Sequence, residues 1–321
     1  MKTVCLLIPV YNESENIEAL LKRLDRLSKE EKKYNFEFLF IDDGSKDSSL
    51  QIVKNFAEKD SRISYVSLSR NFGKETAIIA GLDNTDSDAV VVIDADLQDP
   101  PELISKMLFY WEKGYDDIYA RRLTRAGESW MKKKTSSMFY SLLQHSTQIE
   151  IQKDTGDFRL LDKKCVDALK QFRESQRYTK GMFSWIGFKK KEITYNRDPR
   201  NGGKSKWNYF KLFNFAIEGL VSFTTAPLRW STISGTIVSF LAFIYIVILV
   251  VKTIIFGNSV SGYPSLMAVI LFLGGVQLLS LGIIGEYVAR IFNETKNRPL
   301  YIIQESYVRD RGIDGINYKT F

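Results

Sequence analysis

Two stretches near the C-terminus limit the possible folds more than anything else in the chain. Ile233–Val251 runs for 19 residues without a charge, and Ser265–Gly285 for 21. At ~1.5 Å of rise per residue, each is long enough to cross a hydrocarbon core of ~30 Å as a helix. Two membrane spans are therefore expected. Their connector, Phe256–Pro264, carries no charge, whereas Arg229 precedes the pair and Arg290, Lys296 and Arg298 follow it. The positive-inside rule then puts both termini in the cytoplasm and the connector outside. Just ahead of the first run, Tyr209, Leu212, Phe213, Ala216, Ile217 and Leu220 recur at helical spacing opposite Lys211, Asn214 and Glu218. Beside two spans, that pattern reads as an amphipathic helix in the membrane interface. Glu286 and Arg290 are spaced as a helix-end ion pair.

The preceding 200 residues or so follow a different rule, alternating short apolar runs with helical periodicity. Val4–Pro9 reads as a buried strand, followed by a helix that Ser14 can cap, with Ile17, Leu20, Leu21, Leu24 and Leu27 on its apolar face. Phe36–Ile41, Ile63–Leu68 and Val90–Ile93 are further strands, with helices after the second and third around Leu50–Phe56 and Ala77–Leu82. Asp117–Ala120 is one more strand. The alternation predicts a doubly wound, mostly parallel α/β sheet, in which ligands bind beyond the carboxyl ends of the strands. Polar clusters sit at those ends: Tyr11-Asn12-Glu13, Asp42-Asp43-Gly44-Ser45, Arg70–Lys74 and Asp94-Ala95-Asp96. One crevice would collect them all, and a nucleotide suits it. No GxxxxGK[ST] and no GxGxxG follows any strand, so neither an ATPase P-loop nor a dinucleotide fold is supported.

The stretch Val90–Glu102, VVVIDADLQDPPE, carries the most chemistry. In an extended strand end, side chains two apart share a face, so Asp94, Asp96 and Gln98 would converge on one hard cation. Mg²⁺ favours one or two carboxylates plus substrate oxygens, which suits a site that holds a diphosphate. A single histidine, His145, argues against histidine catalysis, and Cys5 and Cys165 form no zinc spacing or disulfide framework. The short run Val4–Val10 is no signal peptide, so the first domain is expected to stay on the side where it is made. The formal net charge of +7 leaves nucleic acid, phosphate-bearing substrates and anionic membranes open by itself. The apolar runs direct it to membrane lipids and away from nucleic acid.

The segments Ile8–Glu13, Asp42–Asp47 and Asp94–Glu102 closely resemble the motifs of family 2 glycosyltransferases with a GT-A fold. Within that family the chain looks most like the polyprenyl-phosphate glycosyltransferases, and the likeness extends over nearly its whole length. The resemblance implies a nucleotide-sugar site at Pro9, Tyr11, Glu13, Asp42, Asp43, Lys74, Asp94 and Asp96, with Asp42 at the uracil or ribose. It implies Mg²⁺ or Mn²⁺ at Asp94, Asp96 and Gln98. The segment Gly156-Asp157-Phe158-Arg159 matches a family motif, which makes Asp157, Asp96 and Arg159 the catalytic candidates. From the residues alone, Asp157 is displayed at a turn. Arg122 and Arg125, ahead of Gly127-Glu128-Ser129, would meet an acceptor phosphate, with Arg121 a rival for the place of Arg122. Lys132–Lys134 reads as a solvated face. Arg200, Ser205 and Lys206 lie in a Gly-rich segment that serves as a hinge, a closing loop or both.

The implied activity is inverting transfer of a hexose from UDP-glucose or a UDP-N-acetylhexosamine to undecaprenyl phosphate, at the cytoplasmic face of a bacterial inner membrane. The expected organisation is a catalytic domain over 1–207, an amphipathic helix over 208–230, two spans over 231–290 and a cytoplasmic tail over 291–321. A homo-oligomer is expected, with a tetramer the candidate state by likeness to bacterial relatives. Two rivals stay open. A processive polysaccharide synthase would share the first domain, but Ala226 stands where its Gln-x-x-Arg-Trp motif needs Gln before Arg229-Trp230. A scaffold that binds the sugar nucleotide without turnover would lack the full set of acidic residues.

Overall fold

The computed structural model describes residues 1–123, 155–174, 179–195, 226–256, 262–309 and 316–318. The chain divides into two compact units, 1–208 together with 299–321, and 209–298.

In the first unit β1 (Lys2–Val10), β2 (Tyr34–Asp42), β3 (Ile63–Leu68) and β4 (Ala89–Val92) pair in parallel in the order β4-β1-β2-β3. Val4, Cys5, Leu6, Leu7 and Ile8 are all buried, as expected of a strand covered on both faces. The connecting helices are α1 (Ile17–Glu30), α2 (Ser49–Ala57) and α3 (Lys74–Asp83), followed after β4 by α4 (Leu103–Glu112). All five expected apolar residues of α1 are buried. The helix starts after Asn16 without a side-chain cap, and the Ser14 amide instead donates to Asp47. Each buried apolar side chain contributes roughly 1.5–3 kcal/mol, so five of them outweigh a missing cap worth about 1 kcal/mol. Helix α3 is buried from Ala77 to Leu82. It lies so close to β1 that a Cβ on Gly81 would fall 2.4 Å from Leu7 Cδ1.

The other flank of the sheet departs from the doubly wound expectation. Strand β5 (Asp117–Arg122), β6 (Thr155–Asp162) and β7 (Lys190–Tyr195) extend it as β7-β5-β6-β4, with β6 antiparallel to both β4 and β5. Helices α5 (Lys163–Lys170) and α6 (Thr179–Trp185) lie between β6 and β7 in the chain. Asp157, expected at a turn, is inside β6. The opposite edge carries a second departure. Residues 291–321, expected to be a tail, contain β8 (Ile303–Arg309) and β9 (Ile316–Tyr318), and β8 adds antiparallel to β3. Tyr307 stacks on Tyr65, Lys54 pairs with Glu305, and the Ser69 amide donates to the Ile302 carbonyl at 2.9 Å. The fold is a GT-A-like α/β unit built on a mixed sheet.

The second unit contains α7 (Ala226–Phe256) and α8 (Tyr263–Thr295), joined across the pair by a 2.8 Å hydrogen bond between Ser231 and Ser280. Large apolar side chains face outward, with Ile254 78% and Leu278 71% exposed. Among the described residues one helix is long and apolar enough to cross a membrane, through Phe272–Thr295, and Ser231–Tyr245 is a shorter apolar stretch. Arg290 Nε stands 3.4 Å from Glu286. Of the amphipathic helix expected over 208–230, residues 208–225 lie outside the described residues, and 226–230 are already the start of α7.

Candidate active site at the strand ends

The loops after β1, β2 and β3 hold one another in place through backbone amides and short side chains. Asn12, with φ of 56°, receives Lys46 N on its side-chain oxygen at 2.8 Å, and its own amide donates to Ser45. Glu13 N donates to Ser49. Asp42 accepts from Ser45 N at 3.1 Å and from Ser67 Oγ at 2.9 Å. Asp43 accepts from Phe72 N at 2.7 Å and Gly73 N at 2.9 Å. Burial lifts the Asp43 carboxyl above the ordinary Asp range and Asp42 adds to the rise, although those two amides pull the other way. Gly44 has φ of 69°, and a Cβ there would stand 2.6 Å from the Arg70 carbonyl carbon, so glycine lets the second and third loops touch.

A cleft of about 300 Å³ opens at these loops, lined by Pro9, Tyr11, Glu13, Asp43, Lys74, Asp94 and Asp96 among others. Seven of the eight expected nucleotide-sugar residues therefore meet in one place. The exception is Asp42, which is 97% buried and serves the loop behind Asp43, because consecutive residues at the strand end point to opposite sides. Asn71, Gly73 and Ala77 also line the cleft and were not singled out as site residues. Their signal was the polar cluster Arg70–Lys74.

Gln98 sits differently from Asp94 and Asp96. Strand β4 ends at Val92, and the chain turns through Ala95 and Asp96, with Leu97 in the left-handed region at φ of 60°. The two-residue alternation stops there, so Gln98 is buried and does not line the cleft. Its amide instead donates to Asp96. Asp94 and Asp96 remain as hard oxygen donors. Among the described residues no group of three or more His, Cys, Asp or Glu could hold a metal unaided. Two carboxylates fit Mg²⁺ or Mn²⁺ when substrate oxygens complete the shell.

Lys74, the first residue of α3, ties the two flanks of the sheet together. Its Nζ lies 2.7 and 2.8 Å from the two Asp94 oxygens and 2.6 Å from Asp157 Oδ2. Burial works against its charge, but the two carboxylates outweigh burial and hold its pKa above the ordinary lysine range. Asp157 reaches this point because β6 runs antiparallel to β4, with Arg159 opposite Val92, so β6 begins where β4 ends. Arg122 comes from the end of β5. Its Nη2 is 3.1 Å from where a Gly156 Cβ would stand, its Nε donates to Tyr195 at 3.3 Å, and Tyr195 donates to buried Asp99. Arg121 leans away to Glu192, 3.2 Å off. Of the two neighbours, Arg122 is the one beside Gly156, next in the chain to Asp157.

Arg159 lies apart from the cleft lining. It is fully buried, paired with Asp117 at 3.1 Å and stacked 3.7 Å from the Phe183 ring, so it braces β5, β6 and α6 away from the cleft. Burial lifts the Asp117 carboxyl, and Arg159 opposes the rise. Arg125, Arg200, Ser205 and Lys206 lie outside the described residues.

The chain matches the family model for glycosyl transferase family 2 over residues 5–170 and the model for the GtrB C-terminal hairpin over residues 226–291. It is 47% identical over 300 residues to an uncharacterized glycosyltransferase of Synechocystis, covering 94% of each chain. It is 43% identical to the putative glycosyltransferase CsbB of Bacillus subtilis, over 98% of this chain and 95% of that one. It is also 43% identical to the SfII prophage-derived bactoprenol glucosyl transferase of Shigella flexneri, over 95% of this chain and 98% of that one. With the acidic cleft, the mixed sheet and these matches in agreement, the chain belongs to glycosyltransferase family 2.

Proposed function

We propose that this glycosyltransferase is a metal-dependent, inverting enzyme that moves a hexose from a UDP sugar to undecaprenyl phosphate at the cytoplasmic face of the inner membrane. The observation that carries the reading is the convergence of Glu13, Asp43, Asp94 and Asp96 on one cleft at the strand ends, with Lys74 the cation among them. A diphosphate would be repelled by so many carboxylates without a further positive charge. The names of the Shigella relatives favour glucose as the sugar and bactoprenol as the lipid.

In this reading Asp43 and the loop Asn71–Gly73 hold the nucleoside, and Asp94 and Asp96 hold the divalent cation. When bound, that cation supplies Lewis-acid stabilisation of the leaving diphosphate, worth several kcal/mol. Arg122 binds the acceptor phosphate on the Asp157 side. The second pKa of such a phosphate is near 6, so at neutral pH it is already an anionic nucleophile and needs little help from a base. Asp157, held by Lys74, orients the acceptor instead of taking a proton. One displacement at the anomeric carbon turns an α-linked donor into a β-linked lipid sugar. Helices α7 and α8 form two spans with both termini inside and draw the lipid from the bilayer, which the outward apolar surface of both supports. The protein assembles as a homo-oligomer.

The test is transfer of radiolabelled sugar from a panel of UDP sugars into an organic-extractable lipid, with undecaprenyl phosphate and Mg²⁺ or Mn²⁺. One sugar should enter the lipid phase, and EDTA should stop it. Label in water-soluble polymer would point to a processive synthase, and no transfer with any donor to a scaffold.

A further inference from the structure

Lys74 is placed where its helix does not want it. It is the first residue of α3, and a cation at a helix N-terminus opposes the macrodipole. Its aliphatic stem is not sealed in the core either, since the side chain is 42% exposed. What holds it is the cleft. An ammonium has three N–H donors, and three carboxylate oxygens surround this one within 2.8 Å, both oxygens of Asp94 and one of Asp157. Asp94 is thus shared between two cationic claims, that of Lys74 and that of a divalent ion. Asp96 alone is a poor site for a hard cation, and the described residues offer no third carboxylate, His or Cys to complete one.

We infer that Lys74 is a built-in countercation that keeps Asp94 closed to a bare divalent ion, so that metal binds only together with the nucleotide diphosphate. This rests on the nucleotide-sugar reading above and adds an order of binding to it. The diphosphate provides what the empty cleft lacks, an anionic partner for the ammonium. Once Lys74 turns to a phosphate oxygen, both oxygens of Asp94 become available and the substrate supplies the missing ligands. Lys74 then remains bound to Asp157 on one side and the diphosphate on the other, linking donor to acceptor. The charge count is conserved throughout, and no proton has to move.

The test measures Mn²⁺ binding by electron paramagnetic resonance and by titration calorimetry on the full-length protein in detergent, without and with UDP. Three proteins are compared: wild type, Lys74→Met and Lys74→Arg. Wild type should bind Mn²⁺ weakly alone and at least tenfold more tightly with UDP. Removing a positive charge this close to Asp94 should raise the affinity of Lys74→Met for Mn²⁺ alone by about tenfold or more. UDP, which still supplies ligands, should then add less than it does in wild type. Lys74→Arg, which keeps the charge, should behave as wild type, and thermal unfolding of all three checks that they are folded. Equal affinity of wild type and Lys74→Met for Mn²⁺ alone, with UDP synergy intact in both, overturns the countercation role and leaves the donor site standing. Absence of any Mn²⁺–UDP synergy in wild type overturns the nucleotide-sugar reading itself.

Discussion

The two flanks of the sheet hold their functional residues by different means. On the β1–β3 side, Asp42, Asp43, Asn12 and Glu13 are fixed by amides and hydroxyls, each by one or two hydrogen bonds. On the β5–β7 side, the cations are fixed by acids buried with them: Arg159 by Asp117, and Arg122 through Tyr195 by Asp99. Losing one such bond costs about 1–3 kcal/mol, the upper end where a carboxylate accepts. A buried ion pair has no substitute, and removing one partner leaves a bare charge at a cost of about 3–5 kcal/mol. The first flank can therefore be altered at the price of chemistry, and the Arg159–Asp117 pair of the second only at the expense of the fold. Lys74 is where they meet.

Substitutions on both flanks sharpen or break that contrast. The largest effect is expected from Asp96→Ala, which should lower sugar transfer on the order of a thousandfold. Its thermal unfolding should stay that of wild type; a parallel loss of stability would remove the distinction. Next comes Arg159→Met, which strands Asp117 in the core and should cost about 3–5 kcal/mol in denaturant unfolding. Adding Asp117→Leu should recover much of that loss. If Arg159→Met proves stable yet inactive, Arg159 belongs to the chemistry after all. Arg122→Ala should raise the KM for the lipid phosphate about tenfold to a hundredfold, the loss of a charge-assisted bond. Arg121→Ala, at a half-exposed surface pair with Glu192, should change it by no more than about twofold.

A further effect concerns pH. Arg62 holds the Asp60 carboxyl below its ordinary range, chiefly through their hydrogen bonds, and also bonds Asp25. A lowered folded-state pKa gives stability that is present above the ordinary Asp value of 3.8 and lost as pH falls through the folded value. With roughly a third of each side chain exposed, Asp60→Asn should cost at most about 1 kcal/mol at pH 7. Urea titrations of the variant and wild type should converge as the pH falls through the lowered folded-state value. A difference that persists there would mean that the charge is not its source.

Much of the donor side was legible in the sequence because its causes are local. The apolar run Val4–Ile8, the period of Ile17, Leu20, Leu24 and Leu27, and the polar ends of three strands each state their role within ten residues. The place of Gln98 was not legible for a local reason as well: strand alternation ends with β4 at Val92, and Gln98 comes six residues later, beyond a turn that contains a leucine at positive φ. Nothing in the VVVIDADLQ stretch announces that the chain bends there.

The sequence by itself determined the parallel strands, the acidic residues at their ends and the two long apolar runs, because hydrophobic period and chain length act between near neighbours. Only the tertiary structure decided that Asp157 faces Lys74 while Arg159, two residues on, is locked to Asp117. It also decided that Ile303–Arg309 returns to the edge of β3. Those outcomes depend on strand direction and on partners far apart in the chain, with 83 positions separating Lys74 from Asp157. Pairings at that distance are set by which buried charges and strand edges find one another when the sheet closes, and no local pattern encodes them.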